Sequence, residues 1–328
     1  MTDLAVPGVA DIEAAAQRLS AEAIYTPLIE NPTLNELTGG RVLLKAETLQ
    51  RTGSFKFRGA FNFISSIPAD ARANGVVTYS SGNHAQGVAA AAGIFDIPAT
   101  IVMPTDAPRA KIDNTQGYGA EIVSYDRNTE IREDIAAEIS KRTGATLVPP
   151  YDHSWTICGQ GTVGLEIAAQ TEALGIQPDL MLVCCGGGGL SAGVAIALAD
   201  RLPGTKIKTV EPVGFDDTRR SLETGARVAN DAGASSICDA LLAPTPGEIT
   251  FEIIRNLGVT GVAVDDAAVR RAVAFAWRSL KLVIEPGGAV ALAAVLEGLA
   301  DVRNRTVVVV LSGANVDADM FRDCLEGA

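Results

Sequence analysis

Short apolar runs alternate with longer amphipathic stretches along most of this chain. The runs Val42–Lys45, Val76–Tyr79, Ala99–Met103, Glu121–Ser124, Leu180–Cys184, Lys206–Val210, Gly261–Val264 and Val307–Leu311 read as strands. Several are unbroken Val/Ile/Leu segments, as expected of strands covered on both faces. Helical spacing follows over Asn83–Gly93, Thr129–Arg142, Leu190–Leu202 and Asp266–Leu282, the last with Asp265 and Asp266 placed to cap it. This alternation predicts an α/β fold of two open, mostly parallel sheets with helices on both faces. No low-complexity linker divides the chain. A smaller domain is expected at residues 53–149, inserted into a larger one built from residues 1–52 and 150–328. Ligands of open parallel sheets sit beyond the carboxyl ends of the strands, so the loops there are where chemistry is sought.

Composition narrows the function classes. The chain has 328 residues, 47% of them hydrophobic, enough for a large core. Its formal net charge of −12 argues against a nucleic-acid partner, which needs clustered Lys and Arg. The N-terminal stretch lacks a basic, apolar leader and no segment is long and apolar enough for a membrane, so a cytoplasmic setting is expected. The five cysteines show no pairing pattern, and the two histidines, His84 and His153, form no zinc spacing with them.

Four strand-end loops carry the candidate chemistry. In Thr52–Gly59, Lys56 stands between Phe55 and Phe57. An amine among apolar groups loses solvation of its charged form, so its pKa falls and it becomes a better nucleophile toward an aldehyde. The same loop also reads as a lysine snorkelling beside a helix start. Ser80–Gly87 follows a strand and opens a helix, whose free N–H groups suit a carboxylate or an ordinary cap equally. Gly186–Gly189, running into Leu190 and Ser191, offers a backbone cradle for phosphate; close helix–sheet packing would need only one or two of those glycines. Gly187 and Gly189 with Ala192 also satisfy G-x-G-x-x-G/A, and Glu211 lies where a ribose-binding acid would, which keeps an NAD-binding oxidoreductase as an alternative. Ser312–Asn315, after the apolar run Val307–Leu311, suits one hydrogen bond to a ring ligand, or a plain turn.

Taken in order, SFKFRGA (Ser54–Ala60), SSGNHAQG (Ser80–Gly87), GQGT (Gly159–Thr162), GGGGLSAG (Gly186–Gly193), EPGGAVALAA (Glu285–Ala294) and LSGANVD (Leu311–Asp317) resemble the fold-type II pyridoxal 5′-phosphate (PLP) enzymes. The branch is that of the serine/threonine dehydratases and serine racemases, and the fold implied is like that of the tryptophan synthase β chain. The resemblance spans nearly the whole chain. It implies that Lys56 links covalently to PLP and serves as catalytic base, with Phe55 packed beside the ring. It places the phosphate on Gly186, Gly187, Gly188, Gly189 and Leu190, the ring hydroxyl on Asn83 and the pyridine nitrogen on Ser312. Ser80, Ser81, Gly82, Asn83 and His84 are expected to grip the substrate carboxylate. Ser81 matches the serine that faces the lysine in racemases, which permits racemisation.

The activity implied is an ammonia-lyase acting on L-threonine or L-serine, with 3-hydroxyaspartate lyase and serine racemase as alternatives. Arg132 matches an arginine of the racemase branch that could hold a second carboxylate; it also reads as an exposed helix residue paired with Glu133. Glu211 and Asp217 match a site for Mg²⁺, Mn²⁺ or Ca²⁺, or are solvated acids on an acidic protein. A homodimer or homotetramer is expected. Two departures bear on substrate choice: Cys238-Asp239-Ala240 where many relatives have Ala-Asp-Gly, and Ala314 within the SGGN-type turn.

Overall fold

The computed structural model describes residues 6–107 and 109–327, so the ends of the expected larger domain, residues 1–5 and 328, lie outside the described residues. Its ten strands are β1 (Leu28–Glu30), β2 (Arg41–Ala46), β3 (Val76–Tyr79), β4 (Ala99–Pro104), β5 (Glu121–Tyr125), β6 (Thr146–Leu147), β7 (Leu180–Cys184), β8 (Lys206–Pro212), β9 (Thr260–Val264) and β10 (Thr306–Leu311). All eight expected strands are present. The two that the pattern missed, β1 and β6, are three and two residues long, too short for periodicity to register.

The strands form two sheets. One has the order β1-β2-β10-β7-β8-β9 and is parallel except for β1 against β2; the other, β5-β4-β3-β6, is wholly parallel. The six-stranded sheet joins the two ends of the chain, because β10 pairs with β2 from Thr306 opposite Arg41 to Leu311 opposite Ala46. Its central strands β7 and β10 are buried, as unbroken apolar runs must be. The helix Pro286–Leu296 is buried nearly all round and packs into the same core.

Helices Ser154–Ala173 and Gly189–Arg201 cross at glycines. A Cβ on Gly193 would lie 2.5 Å from the Ile157 carbonyl and 2.6 Å from the Gly161 nitrogen, so glycine is required for the backbones to approach. This contact seats the glycine-rich loop before Gly189.

Two helices differ from expectation. The Thr129–Arg142 helix begins at Arg132, because the preceding residues form a side-chain-closed turn: Asp126 accepts from the Asn128 N–H and Glu130 accepts from the Asp126 N–H. The Asp266–Leu282 helix stops at Phe275 and passes into a π-helical turn, Ala276–Leu280, ended by Lys281 at φ 60°. The wide turn delivers Ile284 and Glu285 to buried positions. Among the described residues no helix is long and apolar enough to cross a membrane, and the five cysteines are unpaired and buried.

Candidate active site

The carboxyl ends of β3, β7 and β10 face one cavity of about 510 Å³. Lys56 enters it from the start of the helix Lys56–Ser66. The loop before Lys56 is clamped to the loop after β10: Phe55 N–H donates to the Ser312 carbonyl at 3.1 Å and Ala314 N–H to the Gly53 carbonyl at 2.9 Å. Thr52 sits at φ 64°, costly for a β-branched residue, and Asn315 Nδ2 holds its carbonyl at 2.8 Å. The strained turn is thus locked from outside and fixes where the lysine emerges.

Lys56 Nζ donates to the Pro150 carbonyl at 2.8 Å and lies 5.4 Å from the centre of the Phe55 ring. Burial pulls the amine down to about 8, against the opposing pull of Cys184 and Glu285. The snorkelling alternative does not hold, because the amine points into the cavity and its charged form is disfavoured.

On the β3 side, Gly82 occupies the cap position of the helix Asn83–Ile94 and gives no side-chain cap. The N–H groups of Asn83, His84 and Ala85 find no partner among the described residues, so the turn is open to an anion. Within this turn the imidazole of His84 is unsuited to gripping a carboxylate. Burial, with the Lys56 charge adding to it, pushes its pKa down to about 3. The neutral ring meets the Val148 carbonyl through Nε2 at 3.1 Å, which must then be the donor, and leaves Nδ1 as an acceptor. His84 can offer an anion only its main-chain N–H. Asn83 donates through Nδ2 to Glu285 at 2.5 Å and accepts through Oδ1 from Asn315 at 2.7 Å, leaving its second Nδ2 hydrogen for a ligand. Ser80, Ser81 and Gly82 line the same cavity.

After β7, the N–H groups of Gly186, Gly187 and Gly188 have no partner among the described residues, and the helix from Gly189 adds its own free first turn. The loop therefore presents a row of free N–H groups to the cavity, but its glycines are explained by packing as well. A Cβ on Gly187 would lie 2.3 Å from the Tyr151 ring, and one on Gly188, at φ +92°, 2.8 Å from Thr250. Tyr151 lies over the loop with no motif to announce it. Asp152 beside it receives the N–H groups of Glu248, Ile249 and Thr250, tying that segment to a helix start.

Phe55, Leu190, Ser312 and Arg132 also line the cavity, so all the expected cofactor and substrate residues converge there. Sequence reasoning missed three further polar residues. Glu285 is 3% exposed, and burial first, then the charge of Asp239, pushes its carboxyl up to about 8. Lys111 and Asp239 form an ion pair between the two sheets' halves of the wall. Glu285 and Asp239 lay within quoted motifs, but nothing local marks them as buried or paired.

Glu211 and Asp217 lie elsewhere. Glu211 is wholly buried, with Oε1 accepting from Thr218 N–H at 2.9 Å and Oε2 from Arg219 N–H at 2.8 Å. Glu211 does not line the cavity that the glycine loop faces, so it is not placed for a ribose there, which removes one of the two observations behind a nicotinamide cofactor. Burial and then Asp217 push Glu211 up to about 8; burial pushes Asp217 up to about 6. Among the described residues no group of three or more His, Cys, Asp or Glu forms a metal cluster.

The uncapped N–H loop fits a phosphate, the low-pKa amine fits an aldehyde, and the cavity between them is large enough for a substituted pyridine ring; PLP combines these parts. Residues 19–313 match the family described as pyridoxal-phosphate dependent enzyme. The chain is 42% identical over 317 residues to the L-threo-3-hydroxyaspartate ammonia-lyase of a Pseudomonas species, covering 97% of this chain and 98% of that one. It is 39% identical over 311 residues to the L-threonine ammonia-lyase of Thermotoga maritima, covering 95% and 76%. Maize serine racemase superposes with a TM-score of 0.91 at 34% identity, covering 98% of this chain and 97% of that one. The chain belongs to the PLP-dependent enzymes, among the fold-type II ammonia-lyases and serine racemases.

Proposed function

We propose that this chain eliminates water from a small 3-hydroxy amino acid, releasing ammonia and a 2-oxo acid, and that 3-hydroxyaspartate is its best-fitting substrate. The supporting observation is Arg132. Its Nε is engaged by Glu133 at 2.9 Å, while Nη1 and Nη2 have no hydrogen-bond partner among the described residues, and the side chain lines the cavity. Two free, parallel donors suit a second carboxylate. The similarity to a hydroxyaspartate ammonia-lyase points the same way. L-Threonine or L-serine is the second reading, favoured by the 44% exposure of the Arg132 side chain, which leaves it able to serve Glu133 alone.

Bound at Lys56 and the glycine loop, PLP supplies an electron sink for the charge that develops at the substrate α-carbon. The α-carboxylate rests on the N–H groups at Asn83–Ala85. Lys56 Nζ, when neutral, takes the α-proton, and its pull down to about 8 keeps it close to the pH range where a general base works best. Ser81 handles a proton on the opposite side, which would make racemisation an accompanying reaction. Residues 53–149 would close over the substrate, with Lys111–Asp239 spanning the mouth.

Arg132→Ala is expected to lower kcat/KM for 3-hydroxyaspartate about 30-fold, the worth of a charge-assisted hydrogen bond, and to leave serine turnover nearly unchanged. Equal losses on both substrates exclude the second-carboxylate role.

We also propose that Glu211 and Asp217, with the Phe215 carbonyl, hold a divalent cation. The support is Asp217 Oδ2, buried with no hydrogen-bond partner among the described residues, beside a second buried carboxylate. Mg²⁺ or Ca²⁺ should raise the melting temperature by a few degrees, about the effect of a ligand in large excess. The rise should vanish in Asp217→Asn, and a rise that persists there would place the ion elsewhere.

A further inference from the structure

Arg132 is poorly fixed by its own helix. It is the first residue of Arg132–Thr143, where the helix dipole disfavours a cation, and the preceding Ile131 supplies no cap. Its one ion pair among the described residues, with Glu133, joins two side chains that are 44% and 48% exposed. Such a pair holds a long side chain weakly. Left to it, the guanidinium could swing out and close both of its edges on Glu133.

Tyr79 opposes that swing. It is the last residue of β3, immediately before the Ser80–His84 turn, and its ring packs against the cluster of Val77, Val102 and Ile139. The Arg132 guanidinium carbon lies 5.4 Å from the centre of this ring. A guanidinium on an aromatic face keeps its in-plane N–H groups free at the edge. The ring is carried by a strand end and packed against a buried cluster, so it is a firmer platform than the solvent-exposed ion pair beside it.

We infer that Tyr79 is the positioning residue for Arg132, holding its free edge toward the cavity so that the site prefers a substrate with a second carboxylate. This rests on the reading of Arg132 given above and adds the residue that makes it work. The two carboxylate grips are then set by one strand end: the α-carboxylate by the turn after Tyr79, the second by the ring of Tyr79 through Arg132.

The test compares Tyr79→Met, Tyr79→Phe, Arg132→Ala and the Met/Ala double variant of the PLP-loaded enzyme, with 3-hydroxyaspartate and serine as substrates. Inhibition of serine turnover by succinate, a non-reacting dicarboxylate, gives a second readout. Tyr79→Met should raise KM for 3-hydroxyaspartate and the inhibition constant of succinate about fivefold, with kcat held and serine kinetics within about twofold. Tyr79→Phe, which keeps the ring face, should track the unmodified enzyme. The double variant should lose no more than Arg132→Ala alone. Serine turnover reports folding in every variant, and Tyr79→Leu substitutes if the methionine variant folds poorly. An equal loss on both substrates, or no loss beside a selective Arg132→Ala, overturns the role of Tyr79 while sparing that of Arg132. An unselective Arg132→Ala overturns both.

Discussion

Lys56→Ala should abolish covalent capture of PLP, seen as loss of the visible absorption of the lysine-bound coenzyme, and lower turnover by about 10³-fold or more. The amine is both the proposed attachment point and the proposed base, and among the described residues Lys111 is the one other lysine that lines the cavity. Lys111 is already paired with Asp239. Lys56→Arg should fail equally, because a guanidinium stays protonated and cannot attack an aldehyde. The pH dependence has a definite sign. Burial lowers the Lys56 pKa from 10.5 to about 8, so the reactive neutral amine grows as pH rises toward 8 and saturates above it. At pH 7 about a tenth of the amines are neutral, against about 0.03% for an ordinary lysine. The rate of PLP capture by the coenzyme-free protein should climb close to tenfold per pH unit below that midpoint. A rate still climbing at pH 10 would show a solvated lysine and remove the basis for the site. Full activity in Lys56→Ala would remove the mechanism.

Arg58→Ala should cost about 3–5 kcal/mol of stability, the cost of leaving a buried carboxylate unpaired. Arg58 and Glu47 are 1% and 0% exposed. The guanidinium meets both oxygens of Glu47 at 2.8 Å and both of Glu166, at 2.6 and 3.0 Å. Lys45 completes the set, with Glu166 at 2.6 Å and the Thr26 carbonyl at 2.7 Å. Two cations balance two carboxylates, and removing one leaves a net buried charge. Burial alone would raise the Glu47 carboxyl, but the charge and hydrogen bonds of Arg58 outweigh it and hold it below 4.5. A depressed folded-state pKa gives stability that is complete above the unfolded value and is lost as pH falls through the folded one. The unmodified protein should therefore lose this contribution only below pH 4.5. In Arg58→Ala burial is left to dominate, Glu47 moves up, and the variant should gain stability as acid protonates it. Thermal melts from about pH 2 to 8 check both signs; a loss under about 1 kcal/mol would mean that the network is not closed in solution. Arg58 lies two residues beyond Lys56 on the same helix, so the variant should also loosen PLP binding.

These two residues show different degrees of legibility. Lys56 became a candidate in the sequence because its motif stands in order with five others that together resemble the PLP enzymes; its own loop reads as well as a lysine beside a helix start. The glycine loop was legible on its own, because four glycines after a strand exceed what packing was expected to need, and so were the buried strands, whose apolar runs state their burial directly; the turn before the Asn83 helix suited an ordinary cap equally. Arg58 was quoted within the same motif as Lys56, yet nothing there distinguishes it from a solvated helix residue. Its partners Glu47 and Glu166 come from β2's end and a helix 108 residues on.

What the sequence determined by itself is therefore where eight of the strands lie, set by apolar runs of a few residues, and which lysine and backbone turns are the candidates for a site, set by short motifs taken together. Tertiary structure decided the charge states and the fixed orientations. Asn83 reaches Glu285 across 202 positions and Lys56 reaches the Pro150 carbonyl across 94. Burial made His84 neutral, raised Glu285 and placed the Tyr151 ring over Gly187. Desolvation and Coulomb energy depend on what surrounds a group in space, and segments so far apart in the chain become neighbours only when the sheets and helices assemble.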